Sequence, residues 1–251
     1  MRIWILASML VLVLEPVHAF TLNSTSDSSL EGWADSTIRL RVNTANCPAG
    51  FDVPKLIKEA AEIWNNVPTS SLKVKYDGST TSTLMASPVT VYCETNFQAQ
   101  LGADQNVVPG AASVDGSSGR IRGGILYLNV SAGLANIDNY NYEVLKIILA
   151  HEIGHVLGLG HSEDQKALMY FDGSERDHLG LGQDDIDGVS YLYPSDELKE
   201  GKYAGCGRIG NPPPPPSQNL LLYILMLLFP MGVLISLRKK ARRRKWYQYC
   251  V

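Results

Sequence analysis

The stretch of sequence that decides the fold is HEIGHVLGLGH, residues 151–161. Its first and fifth positions are His151 and His155. Four residues make slightly more than one helical turn, so both imidazoles face the same way about 6 Å apart along the axis. This spacing lets both side chains bind one tetrahedral Zn²⁺. Gly158 favours a turn that ends the helix, because glycine readily takes a positive φ, and His161 then supplies a third ligand.

Glu152 lies next to the first histidine, where a general base for metal-activated water is needed. A random chain of about 250 residues carries the five fixed positions of this pattern with a probability on the order of 10⁻⁵. Three of the four histidines outside residues 1–19 fall within it. The alternative is a set of core histidines that bind no metal, and the rarity of the pattern favours zinc.

Both ends of the chain are apolar and are predicted to lie outside the globular domain. Residues 1–19 resemble a secretory signal peptide, with Arg2, an apolar stretch and a small residue at Ala19. Residues 220–237 are free of charge and span about 27 Å as a helix, close to the ~30 Å hydrocarbon core of a membrane. The basic tail 238–251 is placed in the cytoplasm by the positive-inside rule. The domain between is therefore expected to be exported and extracytoplasmic on a single-pass anchor.

A Pro-rich linker over residues 195–219 joins the domain to the predicted transmembrane helix, with Pro212–Pro216 as a stiff spacer. The same order of spacer, apolar run and basic cluster also describes a sorting tag that is cut off after export. Ala204–Gly207 is a candidate processing site, and the protein is then secreted or surface-attached. Both interpretations remain open from the sequence.

The charge of the body limits the classes of partner. Residues 20–237 hold 14 Lys and Arg against 24 Asp and Glu, a net charge of −10. Nucleic-acid binding needs clustered cations, so no nucleic-acid partner is expected. The expected partners are a protein or peptide substrate and, through the C-terminal helix, the membrane. We expect a monomer.

Two cysteines, Cys47 and Cys93, lie in the part of the chain that is expected to be exported, where disulfides persist. They are predicted to form a disulfide with each other. Cys206 and Cys250 are expected on opposite sides of the membrane, so these two cannot pair within one chain.

Hydrophobic periodicity predicts the elements of the central domain. Ser, Thr and Asp dominate residues 20–36, which are expected to be a loose extension. Alternating apolar positions predict strands, and apolar spacings of three and four predict helices. Strands are expected over 37–42, 72–76 and 89–93, helices over 53–66, 142–157 and 183–193, and a hairpin of 107–114 with 121–130. The first strand of that hairpin is read as an edge strand, whose free backbone groups can bind an extended peptide.

These features together resemble a metzincin metalloprotease. The stretch Ala167–Tyr170 resembles the Met-turn of the matrixin branch, the matrix-metalloprotease-like peptidases. Glu59–Trp64 followed by Leu72–Val74 resembles the first matrixin helix and strand, and Leu181–Tyr193 resembles the closing helix. The resemblance covers residues 37–194, the whole predicted catalytic domain.

The resemblance implies an α+β domain with a twisted mixed sheet of five strands, two long helices and a small C-terminal subdomain. It implies a zinc metalloendopeptidase that hydrolyses peptide bonds of extracytoplasmic proteins, with Glu152 as general base. The resemblance also implies that Met169 forms an apolar floor under the metal site. The single catalytic Zn²⁺ is held by His151, His155 and His161.

An inactive, membrane-tethered adhesion module that keeps zinc for stability alone is the competing function. Structural zinc sites fill all four positions with protein ligands, and no fourth candidate is evident near the motif. Glu152 would also have no role in such a module. The sequence therefore favours the enzyme.

The sequence departs from the family at three points. No histidine occurs between Ala19 and His151, so a second, structural zinc lacks its ligands. Phe171 stands where the family usually has Pro, so the wall of the S1′ pocket is expected to differ. No cysteine occurs among residues 20–36 to block the zinc, so the exported form is expected to be active without loss of a prosegment.

Calcium is a weaker expectation. Three loop acids could serve a calcium site, although solvated loop acids are the commoner explanation of such residues. The candidates are Asp104, Asp115 and Asp138.

Overall fold

The described part of the domain is built from five strands and four helices. The computed structural model describes residues 20–24, 30–173 and 180–196. The strands are β1 (Thr37–Asn43), β2 (Lys73–Ser79), β3 (Val89–Glu94), β4 (Gly110–Ser117) and β5 (Arg120–Asn129). The helices are α1 (Val53–Asn65), α2 (Phe97–Leu101), α3 (Tyr142–Leu157) and α4 (Gln183–Leu192), with a 3₁₀ turn at Ile137–Asn139.

The strands form one mixed sheet in the order β2–β1–β3–β5–β4. β1 pairs in parallel with β2 and β3, β3 pairs in parallel with β5, and β4 runs antiparallel to β5. The predicted α+β class and the mixed five-stranded sheet are confirmed. The two edges of the sheet are β2 and β4, which lie about 19 Å apart at the ~4.8 Å spacing of neighbouring strands.

Two long helices, α1 and α3, pack on the sheet and on each other. Asp52 and Asn141 precede them, and each side chain accepts an N–H of the first helical turn at 3.0 Å. These bonds satisfy backbone donors that a helix start leaves open. Trp64 is fully buried, and its indole N–H donates to the Ala150 carbonyl at 2.8 Å. This bond ties α1 to the part of α3 that directly precedes His151.

A short helix, α2, was not predicted from the sequence. Its buried Phe97 packs with Ile125 and Tyr127 of β5 in a small cluster apart from the main core. Side chains alternate along a strand, so Ile125 and Tyr127 face the side of the sheet opposite to Leu126. Five residues are too few to show a helical period, which explains why the sequence pattern missed α2.

The predicted disulfide is present. Cys47 and Cys93 are bonded, with their Cα atoms 5.1 Å apart. Cys93 is fully buried in β3, and Cys47 follows β1 in the chain. The bond therefore links the loop that leaves β1 to the neighbouring strand.

The hairpin begins later than the sequence predicts. Its first strand starts at Gly110 and not at Val107. Val107 instead closes a turn by donating its N–H to the Asp104 carbonyl at 3.0 Å. Pro109 has no N–H for a strand ladder, which places the strand start after it.

The segment 20–36 is not loose in the parts that the structure describes, which corrects the prediction. Leu30 and Trp33 are buried in the main core. The indole N–H of Trp33 donates to the Val156 carbonyl at 2.8 Å. The composition of the segment hid these contacts, because Leu30 and Trp33 are, among those of its residues that the structure describes, the only large apolar ones that are buried.

Several predicted segments lie outside the described residues. These are the signal peptide 1–19, nearly all of the linker 195–219, the apolar run 220–237 and the basic tail 238–251. Over the ranges that are described, no helix has both the length and the hydropathy needed to cross a bilayer.

Candidate active site

Three histidines meet at the end of α3. His151 and His155 lie one turn apart on the helix, and His161 follows a tight turn at Gly158, where φ is 108°. One ligand atom from each side chain can be chosen so that all three lie within 4.8 Å of one another. The structure thus brings together the three side chains that the sequence predicts as metal ligands.

Backbone carbonyls determine which nitrogen of two imidazoles is free. Nδ1 of His151 lies 2.7 Å from the Leu168 oxygen, and Nδ1 of His155 lies 2.8 Å from the Leu159 oxygen. A carbonyl oxygen only accepts, so each neutral ring carries its proton on Nδ1. Nε2 of both rings keeps its lone pair and is available as a ligand.

Burial favours the neutral form of His155 and His161. Burial lowers the pKa of His155 to about 4, although the hydrogen bond to the Leu159 carbonyl opposes this shift. Burial also lowers the pKa of His161. Neutral imidazole is the form that binds metal, so the donor set fits a zinc site with three protein ligands.

Glu152 lies between α3 and the edge strand β4. It is only 7% exposed, and burial raises the pKa of its carboxyl to about 8, while a hydrogen bond with the Ala112 backbone lowers it. A Cβ added to Gly110 would lie 3.1 Å from the Glu152 Cγ. The predicted general base is therefore held against an edge of the sheet.

The Met-turn, Ala167–Tyr170, packs against α3. Met169 is buried, and its carbonyl accepts the Ser162 N–H at 2.8 Å. A Cβ at Gly154 would collide with the Met169 sulfur and would lie 2.8 Å from Trp64. Glycine between the two helical histidines therefore lets the turn approach the helix, and Met169 lies directly beside the metal-binding segment.

Two buried carboxylates hold the Met-turn in place. Neither was predicted from the sequence. Asp185 is 1% exposed and accepts the N–H groups of Leu168 and, at 2.9 Å, of Met169. Asp184 accepts the Ser162 hydroxyl. The only signal in the sequence was a pair of acids in the first turn of α4, which a helix N-terminus explains without any tertiary contact.

The segment 20–24 lies along the loop that carries the third histidine. The Thr21 hydroxyl donates to the His161 carbonyl, and the Asn23 amide donates to the His155 carbonyl at 2.7 Å. These partners are more than 130 residues apart in sequence. Local patterns could not have revealed them.

Phe171 follows the Met-turn and is 66% exposed. Its ring lies against Tyr170, with the ring centroids 4.7 Å apart. The residue that departs from the family pattern is therefore a large aromatic side chain open to solvent.

The candidate calcium ligands are not assembled. Within 20–24, 30–173 and 180–196, the histidine trio is the group of metal-binding side chains that the structure brings together. The acids at the loop positions do not join a group of three, and calcium is not shown. These acids are Asp104, Asp115 and Asp138.

Comparison with known proteins agrees with this geometry. The model of the Matrixin family matches residues 33–194, which is more than half of the chain. The chain belongs to the matrixin family. The resemblance seen in the sequence is thereby confirmed, and the matched range contains the whole sheet and all three histidines.

Individual relatives match this matrixin over parts of their length. Matrix metalloproteinase-27 of Tupaia belangeri is 28% identical over 169 residues, which are 66% of this chain and 31% of the relative. Metalloendoproteinase 1 of Glycine max is 52% identical over 50 residues, 20% of this chain and 16% of the relative. Neutrophil collagenase of Homo sapiens is 49% identical over 57 residues, 22% of this chain and 12% of the relative. The chain thus spans less than a third of the length of these curated relatives.

Proposed function

We propose that this matrixin is a zinc-dependent endopeptidase that cleaves peptide bonds of extracytoplasmic proteins. The observation that carries the proposal is the placement of Glu152 and three convergent imidazoles beside the edge strand β4. When bound, zinc supplies Lewis-acid chemistry that polarises the scissile carbonyl and makes water more acidic. The remaining functions fall to groups of the protein itself.

Glu152 is the group that moves the proton. It is adjacent to His151 in the chain and is not needed as a ligand, so in its ionised form the carboxylate can accept a proton. We assign it as the base that takes a proton from the attacking water and as the acid that returns it to the leaving amine. The carbonyl carbon gains a hydroxyl and the amine nitrogen gains a proton, so one water is consumed for each bond cleaved.

The backbone of β4 supports binding of an extended substrate. The Asn129 N–H donates to the Pro109 carbonyl at 2.9 Å, which fixes the alternation of the antiparallel ladder. Ala111 therefore bonds to β5, whereas Ala112 directs its N–H and C=O away from β5. A peptide that adds here as a further strand would run past Glu152.

We propose export of the catalytic domain, with residues 220–237 as a single-pass anchor. Support comes from the signal-like residues 1–19, the uncharged run and the basic residues after it. The Cys47–Cys93 disulfide adds independent support, because such bonds persist outside the reducing cytoplasm. The intact mass of the mature protein would separate a retained anchor from a tag that is removed.

The test of the enzymatic function uses the full-length protein and a peptide library read by mass spectrometry. Three samples are compared: zinc-loaded protein, protein treated with a chelator, and the same protein after zinc is restored. We expect cleavage in the first and third samples only. The competing zinc-binding module predicts bound zinc and no cleavage in any sample, and that result would overturn the proposal.

A further inference from the structure

Positive charge is concentrated in one part of this acidic domain. The described ranges hold ten Lys and Arg against nineteen Asp and Glu. Six of the ten cations lie in three neighbouring elements, β1, α1 and β2. They are Arg39, Arg41, Lys55, Lys58, Lys73 and Lys75.

Three of these cations line a cavity of about 440 Å³ between α1 and β2. The three side chains are exposed, and none of them makes an ion pair with an acid in the part of the chain that is described. Lys58 lies over the ring of Tyr76, with Nζ 5.1 Å from the ring centroid. We name this site the lysine cavity; its cations are Lys58, Lys73 and Lys75.

Two residues of like charge are neighbours across the strands next to the lysine cavity. Arg39 of β1 is directly opposite Lys75 of β2 in the strand register, and both side chains are exposed. Like charges in directly opposed positions destabilise a sheet. The opposed charges cost stability, and no acid in the described ranges offsets them. Such a local cost is expected where the charges serve a ligand.

Protection of the sheet edge does not explain these lysines. Natural edge strands often carry Lys to prevent pairing with other chains. Here the amide of Asn65 already occupies the edge, since it accepts the Val74 N–H at 2.7 Å and donates to the Val74 carbonyl at 3.0 Å. At Val74, between Lys73 and Lys75, the edge is thus covered without the lysine charges.

We propose that the lysine cavity binds a linear anionic polysaccharide, one that carries sulfate or carboxylate groups along its chain. The lysines supply charge, and Asn66 and Tyr76 supply an amide and an aromatic ring in the same cavity. A membrane surface is the less suitable partner, because peripheral binding to lipid also needs apolar side chains. The exposed large apolar residues of the described ranges lie elsewhere: Leu84, Met85, Val107, Leu134, Phe171 and Tyr191.

The position of the cavity leaves the candidate active site accessible. β2 and β4 are opposite edges of the sheet, about 19 Å apart at the usual strand spacing. A polysaccharide on β2 can therefore hold the protein on an extracellular matrix while a peptide occupies β4. The inference does not depend on the peptidase activity, and its test measures binding.

The test uses the full-length protein in detergent with heparin as the probe, at about 0.15 M salt, where long-range charge effects are largely screened. Residues 238–245 would bind heparin by themselves. Every sample therefore carries Gln in place of the seven Lys and Arg of that tail. Affinity for immobilised heparin is measured by surface plasmon resonance.

The main variant is the triple substitution K58Q/K73Q/K75Q. We expect it to weaken heparin binding by about tenfold, the sum of three modest exposed contacts. The charge-conserving variant K58R/K73R/K75R should bind within about twofold of the parent protein. Glu62 is the acid that lines the same cavity, and Glu62→Gln should strengthen binding by about twofold.

A matched control removes three cations elsewhere, with the variant R122Q/K146Q/K166Q. It has the same net charge as the main variant and should bind heparin within about twofold of the parent protein. Equal losses in both triple variants would overturn the proposal, because the effect would then be one of net charge. Unchanged binding in the main variant would also overturn it.

A lipid arm completes the test. The same proteins are mixed with vesicles of neutral lipid with and without phosphatidylserine, and flotation measures the part of the binding that depends on phosphatidylserine, because the proposed anchor 220–237 binds both. We expect the main substitution to leave vesicle binding unchanged. Loss of vesicle binding with unchanged heparin binding would assign the surface to the membrane and overturn the polysaccharide.

Discussion

The two edges of the sheet are bounded by different side chains, although each edge strand exposes a row of backbone groups. At β2, the Asn65 amide meets Val74 and both donates to and accepts from its backbone. At β4, the Glu152 carboxyl meets Ala112. One edge faces an amide from α1, and the other faces a carboxyl from α3.

The difference follows from what each side chain can offer. An amide has a donor and an acceptor, so Asn65 satisfies both backbone groups of Val74 and closes the edge at that residue. In its ionised form, which is the form that serves as a base, a carboxylate only accepts, so Glu152 then cannot satisfy the outward carbonyl of Ala112. The edge at β4 thus keeps acceptors for an incoming strand at the place where the proposed base lies.

The largest expected effect comes from changing the side chain at the open edge. Glu152→Gln keeps the shape and can still accept from Ala112, but it cannot take a proton. We expect kcat/KM for peptide cleavage to fall by roughly 10²–10⁴, the usual contribution of a general base. Zinc content, measured by atomic emission, should stay at one ion per chain.

Glu143→Gln is the matched control, because Glu143 lies on the same helix, is exposed and pairs with Lys146 at 2.6 Å. Its kcat/KM should remain within about twofold of the parent protein. Turnover by Glu152→Gln close to that of the control would remove the base from the proposed mechanism.

A smaller loss is expected from Ala112→Pro, which removes the N–H that donates to Glu152 and disturbs the outward edge of β4. The ladder to β5 should survive, since Ala112 does not bond to β5. We expect kcat/KM for peptides of eight residues to fall about tenfold, the value of a lost hydrogen bond with some steric cost. Thermal unfolding should show a nearly unchanged midpoint.

A short substrate distinguishes the contribution of β4 to the cleavage rate from that of Glu152. A dipeptide-length substrate does not extend along β4, so its rate reports mainly on Glu152 and the metal. The loss for Ala112→Pro should be several-fold larger with the eight-residue peptide. Equal losses with both substrates would show that β4 does not bind the extended chain.

Sequence alone could reveal the parts of the site that are local in the chain. His151 and His155 are one helical turn apart, and a glycine turn brings His161 to them within six more residues, so spacing was sufficient. The proposed role of Glu152 rests on the same local spacing. The pairing of Cys47 with Cys93 followed from the compartment, because few partners were available.

The rest of the site depends on contacts between distant elements. Asn65 ends α1 as an ordinary polar residue, and only the fold places its amide on the edge of β2. In the sequence, Asp185 is an ordinary acid at the start of a helix. Only the fold shows that the Met-turn packs onto it. Thr21 lies in a Ser- and Thr-rich segment whose partner is 140 residues away. Periodicity carries no information about such pairs.

The closed edge can be tested by Asn65→Ala, which removes both bonds to Val74. We expect a loss of about 1–3 kcal/mol in the free energy of unfolding, because the two backbone groups lose their partner. Urea unfolding of the full-length protein measures this, and peptide cleavage below the transition should be unchanged. Asn66→Ala is the control, since Asn66 is exposed and its amide, within the described ranges, donates to the Glu62 carbonyl alone. A loss no larger than that of the control would show that the amide does not stabilise this edge.

The smallest effect is expected from Lys75→Gln, and it decides which group closes the edge at β2. If the lysine charge protects the edge, its removal should promote aggregation as Asn65→Ala does. If the amide is sufficient, Lys75→Gln should change the free energy of unfolding by less than about 0.5 kcal/mol. A slight gain is expected, because the repulsion from Arg39 across the strand pair is relieved. Light scattering during a slow temperature ramp distinguishes the two cases. Early aggregation of Asn65→Ala but not of Lys75→Gln would show that the Asn65 amide protects the edge at β2. The charge of Lys75 would then be available for an anionic ligand.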